Sequence, residues 1–460
     1  MLCIARFSIL LAGLSVAPAF AASPSLEGVW QSHGYGNVYQ IRGAKLSGFE
    51  VTAETCVRGF TAKRLTVEIP GREASFRIRR GGTFVISAGI DDAHKLLKSP
   101  DGFYSIGIRR LTRLPSSCDV PIADTPTNNF DVFARTFAEH YNALDLRHVD
   151  WDELVNENRQ KVTPKTTPAQ LFDVFESMLK PLGDLHTGLE SPRLKRESSE
   201  VFRPGTDRVI KGGIEYFATK GRRALFRVTD RAYLQGPVRN FCKGQIQFGR
   251  VNHTTGYLRI LSFGDYAKFG KDSHALESAL GRIFSDPVMK ALIIDVRLSF
   301  GGDDQLGRVI ESRLTNADYP AYAIQARSDP LVHDKWTTAD EVLVRRSSRP
   351  GFMGPVVELI GPITMSAAEN LTLALMGRTP RVTRIGENTQ GVFCDVLDRH
   401  LPNGWKFGLP NAVHRTAQGL SFDAVGVPPD IRVAVFADED VAAGRDPAMA
   451  MALQILNEKK

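Results

Sequence analysis

Cysteine is sparse in this sequence, with five among 460 residues, and Cys3 stands inside the first apolar stretch. The other four, Cys56, Cys118, Cys242 and Cys394, fall at spacings that match no zinc motif, which argues against a thiolate metal centre. Long apolar runs are missing too. Beyond residue 21 none approaches the roughly 18 uninterrupted residues that a membrane-spanning helix needs, so no stable membrane insertion is expected. The formal charge is +7, yet no lysine–arginine run collects it, and basic residues are interspersed as in "RRALFRVTDR" and "RHVDWDE". A basic balance without a run leaves no footprint for nucleic acid, which is not expected as a partner. No internal repeat or low-complexity tract occurs.

What is present starts at the N-terminus. "MLCIARFSILLAGLSVAPAFAAS" carries one positive charge at Arg6, an apolar stretch and a small-x-small "AFA" ending at Ala21. That is the layout of a secretory signal peptide over residues 1–21, and it predicts an exported protein, periplasmic or extracellular. An oxidising compartment would permit a bridge between Cys56 and Cys118, which bracket the N-terminal segment.

Short alternating stretches with frequent glycine, such as "VYQIRG", "RLTVEIPG" and "GFYSIGIRRLTRL", predict an all-β domain over 22–118, antiparallel and barrel-like. The linker-like "PSSCDVPIADTPTN" follows. Apolar residues at three- and four-residue spacing in "FDVFARTFAEHYNALDL" and "TPAQLFDVFESMLKPLG" predict a helical segment over 119–190, the second helix capped by Thr167 with Pro168 at its first position. Residues 191–250 read as a mixed β connector, with "IEYFAT" and "RALFRVT" as strands. From 251 to 460, buried-strand patterns ("KALIIDVRL", "PVVELIG") alternate with helical ones ("DQLGRVIESRL", "SAAENLTLALMG"), which predicts an α/β core with a largely parallel sheet.

Ligands of such sheets bind beyond the carboxyl ends of the strands. Three loops fall there: "IIDVRLSFGGDD", "ELIGPITMSAAE" and "RIGENTQGVF". Ser366 in the second has two readings. It could be a plain N-cap, completed by Glu369 as a capping box. It could also be a nucleophile beside helix N-terminal N–H groups, with Ala367 leaving room for substrate and Gly301 or Gly302 supplying a further donor.

"IIDVRLSFGG", "GPITMSAAE", "IGENTQG", "LPNGWKFGLPN" and "GVPPDI" stand in the order of the carboxy-terminal processing (tail-specific) and tricorn-type serine peptidase family, which this chain resembles over roughly residues 130–435. The resemblance implies a core of the ClpP/crotonase-like α/β type and acyl-enzyme chemistry on peptides or unfolded protein segments, with no cofactor and no metal. Tail-specific members use a lysine base, but here Val392 occupies its place in "GENTQGVF". The tricorn branch uses a histidine in a "D-x-H-T" context, and "GDLHTGL" puts forward His186, with His414 and His400 as rivals. Where that branch has a glutamate, Asp423 precedes "GVPPD", and Asp184 is a local alternative for orienting the imidazole. The implied site is Ser366, His186 and Asp423, with Gly301, Gly302 and Ala367 around the oxyanion.

Three features depart from the family pattern. The glycine loop is poorer in glycine, Phe300 stands beside it, and residues 191–250 show no PDZ pattern. The altered glycine loop, Phe300 and the aspartate at 423 where that branch has glutamate support an alternative, a catalytically inactive ligand- or peptide-binding protein on the same scaffold.

Overall fold

The structure is a computed structural model that describes residues 26–65, 73–79, 81–99, 105–198, 201–203, 205–329, 332 and 335–458. The expected signal peptide, 1–21, lies outside the described residues.

Eight strands between Gly28 and Leu111 form a closed antiparallel barrel, sealed where Gly28–Ser32 pairs with Ile106–Leu111. Closure leaves no open sheet edge for another chain to pair with. Alternate residues turn inward, and Trp30, Tyr39, Ile41, Leu46, Phe76 and Ile86 fill the interior. The indole N–H of Trp30 is satisfied by Leu26 O at 2.9 Å. Cys56 and Cys118 form the disulfide that their positions permitted, tying a barrel strand to the chain leaving the barrel. Cys242 and Cys394 are free and buried.

Three helices follow: Pro126–His140, Trp151–Arg159 and Pro168–Leu179. Thr167 and Gln170 close a capping box on the last of them. Their shared core is aromatic. Phe133 stacks on Phe175 with centroids 4.3 Å apart, Phe137 on Trp151 at 5.0 Å, and Phe407 arrives from the core at 5.2 Å from Phe133. Aromatic pairs at these separations add about 0.5–1.5 kcal/mol each beyond area burial, enough to fix how the helices and the core meet.

The strands expected in "IEYFAT" and "RALFRVT" are helical instead, as Ile214–Tyr216, Phe217–Gly221 and Arg222–Tyr233. Phe226 and Thr229 are the buried residues of Arg222–Tyr233, one turn apart, and the arginines around them, Arg222, Arg223, Arg227 and Arg231, are good helix formers. Spacing of buried residues prevailed over the local β preference of Phe, Val and Thr.

The α/β core holds a seven-stranded sheet in the order Arg239–Phe241, Ile246–Arg250, Thr255–Ile260, Ala291–Asp295, Val356–Ile360, Thr383–Gly386 and Ile431–Arg432. From Thr255–Ile260 onward all neighbours are parallel. Side chains alternate between two cores: Leu292 and Ile294 face Leu280 and Leu371, while Ile293 and Leu359 face Met449 and Ala452 of the helix Pro447–Glu458. Among the described residues no helix is long and apolar enough to cross a membrane.

Candidate active site

Ala291–Asp295 and Val356–Ile360 are adjacent and parallel, with Asp295 opposite Leu359, so the loops that follow them leave the sheet side by side. The first carries Gly301 and Gly302 and the second carries Ser366. Below the glycine loop Arg297 is fully buried and bridges Asp295 at 2.7 Å and Asp446 at 2.8 Å. Tyr257 donates to Asp295 at 2.6 Å and completes the support. A buried pair is worth having only when its hydrogen bonds are filled, and here they are.

Ser366 stands at the N-terminus of the helix Ala367–Leu375 with φ 54° and ψ −125°. A non-glycine residue in that region is strained, and such strain persists where surrounding contacts hold it. Those contacts converge on Glu369, whose carboxylate is fully buried. It accepts the N–H of Ser366 at 3.2 Å, Gly391 at 2.7 Å and Val392 at 2.8 Å, and the hydroxyl of Thr389 at 2.5 Å. Burial pushes the Glu369 carboxyl up to about 7, against the pull of these donors. Glu369 therefore does more than cap a helix: it fastens the serine turn to the 389–392 loop.

Gly301, at φ 78°, lies directly against that turn. A Cβ there would stand 2.6 Å from Met365 O, 2.7 Å from Ser366 Cβ and 2.9 Å from Ala367 N, so only glycine fits. The N–H groups of Gly301, Gly302 and Ala367 find no acceptor among the described residues. Gly301, Ser366 and Ala367 are thus together, with Gly302 one step away against Phe263 O.

Val392 lies at the serine as well: its carbonyl accepts the Ser366 N–H at 3.1 Å, and its side chain is buried with Met365 and Leu298. An apolar group fills the place a lysine base would need. Two residues on, the backbone of Cys394 meets the ring of His186. The same short segment therefore touches serine on one side and imidazole on the other.

His186 is delivered by a turn between Leu182 and the strand Gly188–Ser191, which pairs with the hairpin strand Lys406–Pro410. Asp184 builds the turn by accepting the His186 backbone N–H at 2.9 Å. The Asp184 carboxylate is held in turn by Tyr141 OH at 2.7 Å and Arg147 at 3.1 Å. Burial lowers the pKa of His186, opposed by the charges of Asp184 and Asp395, so the ring is neutral near pH 7. Its Nδ1 is shut from solvent and has no partner among the described residues. On its open side His186 lines a groove of about 400 Å³ with Val396, Asp398 and Lys406.

Asp423 is buried behind this turn, where it accepts Ser421 OH at 2.6 Å and the His414 N–H at 3.4 Å. Burial pushes its pKa up to about 6, and Asp184 and Arg147 are the charges that act on it. Of the rival histidines, His414 lies near enough for the charge of His186 to act on it, and His400 lies at the barrel. His414 packs edge-on between Tyr322 and Phe393, and burial takes it down to about 3. His400 pairs with Glu50 of the barrel at 2.7 Å. Phe300 is tied by Phe217, with centroids 6.0 Å apart, and lies under Arg222.

Sequence reading did not single out Tyr141, Arg147 or Asp395. Their link to His186 is tertiary, and no spacing encodes it. Glu369 had a local signal, the S-x-x-E pattern, which accounts for its bond to Ser366 and not for its three other donors.

Residues 254–433 match the model of peptidase family S41. Among solved structures, a candidate peptidase from Parabacteroides merdae superposes with a TM-score of 0.58 at 23% identity, covering 72% of this chain and 97% of that one. Mature CPAF superposes at 0.51 with 14% identity over 70% of this chain and 94% of its own. CPAF complexed with lactacystin gives 0.50 at 12% identity, over 70% and 95%. At these identities the likeness is one of fold. No curated protein matches the chain.

Proposed function

We propose, on the match of residues 254–433 to the model of peptidase family S41, that the protein is an exported serine endopeptidase with a ClpP/crotonase-type core. Ser366 attacks the scissile carbonyl, and His186, held neutral by burial, takes the hydroxyl proton and returns it to the leaving amine. The oxyanion is received by the N–H groups of Gly301, Gly302 and Ala367, and water then releases the acyl group. Asp184 and Asp395 supply the negative charge that favours the imidazolium, and Asp423 acts from behind them through Asp184 and Arg147. The signal-peptide layout at 1–21 and the Cys56–Cys118 disulfide support export.

The observation that carries the reading is Ser366 in a strained turn, packed on Gly301 beside N–H groups with no acceptor among the described residues. A fluorophosphonate probe tests it, read by intact mass on the wild type, Ser366→Ala and His186→Ala. Single labelling is expected in the wild type, none in Ser366→Ala, and a rate about a hundredfold lower in His186→Ala. The rate should fall as pH drops below about 6, where Asp423 takes up a proton.

One observation favours the inactive binding protein: the carboxylate of Asp423 is engaged by Ser421 and His414. A folded wild type that resists labelling at every pH would establish that reading instead.

A further inference from the structure

The basic residues that are scattered along the sequence come together in space. A cleft of about 1280 Å³ runs between the helical stretch Phe217–Tyr233 and the strands Arg239–Phe241 and Ile246–Arg250. Six cations line it, Lys220, Arg222, Arg223, Arg227, Lys243 and Arg259, against one carboxylate, Asp230. Asp230 is spent on Arg259, which lies in the floor across the Phe226 ring at 3.8 Å. Lys243 is paired with Asp265. Lys220, Arg222, Arg223 and Arg227 have no carboxylate partner among the described residues, and all but Arg222 are exposed. Four uncompensated cations on one wall repel one another, an arrangement that a bound anion relieves.

The cleft is linked to the serine turn through Arg222 and Phe300. Arg222 donates to Leu261 O at 3.1 Å and Leu298 O at 3.5 Å, and lies 5.0 Å over the ring of Phe300. Phe300 precedes Gly301, which packs on Ser366. The opposite wall belongs to Arg239–Phe241, the outermost strand of the sheet, where an extended chain finds backbone groups to pair with. Asn240 and Gln247 stand on that wall and are bonded to each other at 3.0 Å. Of the two aromatics that line the cleft, Phe226 is buried under Arg259 and Phe241 already has Arg239 over its ring at 5.6 Å.

We propose that this cleft binds an acidic segment of a peptide substrate while another part of the same chain reaches Ser366. The proposal rests on the peptidase reading for its substrate, while the binding itself does not depend on catalysis. It is therefore tested on Ser366→Ala, by fluorescence anisotropy with two labelled peptides of equal length. One carries a run of six glutamates, the other six glutamines. The acidic peptide should bind about tenfold more tightly at low ionic strength and lose that advantage in high salt.

Arg223→Glu with Arg227→Glu should abolish the preference, and the paired glutamine variants should reduce it. Both sites are exposed, so the fold should hold, and a melting curve checks this. Equal affinity for the two peptides, or a preference that survives charge reversal, overturns the proposal. So does displacement of the acidic peptide by a single-stranded oligothymidylate that binds more tightly, which would make the cleft a nucleic-acid surface. Wild type that resists fluorophosphonate labelling, with acidic-peptide binding intact in Ser366→Ala, would sink the peptidase reading and leave the cleft standing.

Discussion

At the scale of single residues, the site depends on where a methyl group cannot go. Gly301→Ala forces a Cβ to within 2.6–2.9 Å of Met365 O, Ser366 Cβ and Ala367 N, which are backbone and Cβ atoms rather than a pliable side-chain tip. The turn must move by several tenths of an ångström, and misplacement on that order costs roughly tenfold to a hundredfold in rate. We expect the fluorophosphonate labelling rate of Gly301→Ala to fall by that much, with a melting temperature only a few degrees lower. Labelling at the wild-type rate would mean that Gly301 is not part of the reacting geometry. Ser366 and Gly301 could be singled out in the sequence because each stands in the loop that follows a buried strand. The surroundings of His186 were not: Arg147 stands 39 positions before it and Asp395 lies 209 after it, and only the folded chain brings them to one turn.

At the scale of elements, the serine turn and the 389–392 loop behave as one piece because a single carboxylate joins them. Glu369→Ala leaves the N–H groups of Gly391 and Val392 and the hydroxyl of Thr389 without their acceptor, at about 1–3 kcal/mol for each that stays dry. The expected loss is about 3 kcal/mol or more, with labelling abolished. Glu369→Gln keeps one acceptor oxygen and cannot titrate, which separates geometry from charge. The folded-state pKa of Glu369, about 7, is above its unfolded value of about 4.5. Its stabilising proton is fully present below the unfolded value and is lost as pH rises through about 7. Wild type should therefore lose stability relative to Glu369→Gln between about pH 5 and pH 8, as read from urea midpoints. A constant difference would show that Glu369 is ionised throughout. Sequence patterning reached these elements unevenly. The core strands and helices were legible as alternating buried runs, whereas Arg222–Tyr233 was misread. Its exposed face is basic and its buried residues are few, so periodicity had little to register, and the cleft it forms stayed hidden with it.

At the scale of the whole molecule, the barrel is seated on the rest of the chain by polar contacts that do not all survive the same pH. His140 meets Val51 O at 3.0 Å, Glu139 accepts the Ala53 N–H at 2.9 Å, Arg135 pairs with Glu54 at 2.7 Å, and Arg399 reaches Asn37 at 3.3 Å. One contact involves a histidine whose pKa the barrel raises. His400, on the hairpin that carries Phe407, places Nδ1 2.7 Å from Glu50 and gives its backbone N–H to the same carboxylate at 2.6 Å. The Glu50 hydrogen bond raises the pKa of His400, partly offset by burial. Because the folded pKa is raised, the stabilisation is complete below the unfolded value of about 6.5 and is lost as pH climbs through the folded value. Glu50→Gln removes the charge that holds this proton and keeps an acceptor for the backbone N–H. The gap in thermal midpoint between wild type and Glu50→Gln should therefore be widest near pH 6 and narrow towards pH 9. Limited proteolysis of the 112–125 link should follow the same course, cutting wild type faster as pH rises. A gap that stays constant across this range would mean that the imidazole is neutral throughout and that the barrel is held by the remaining contacts alone.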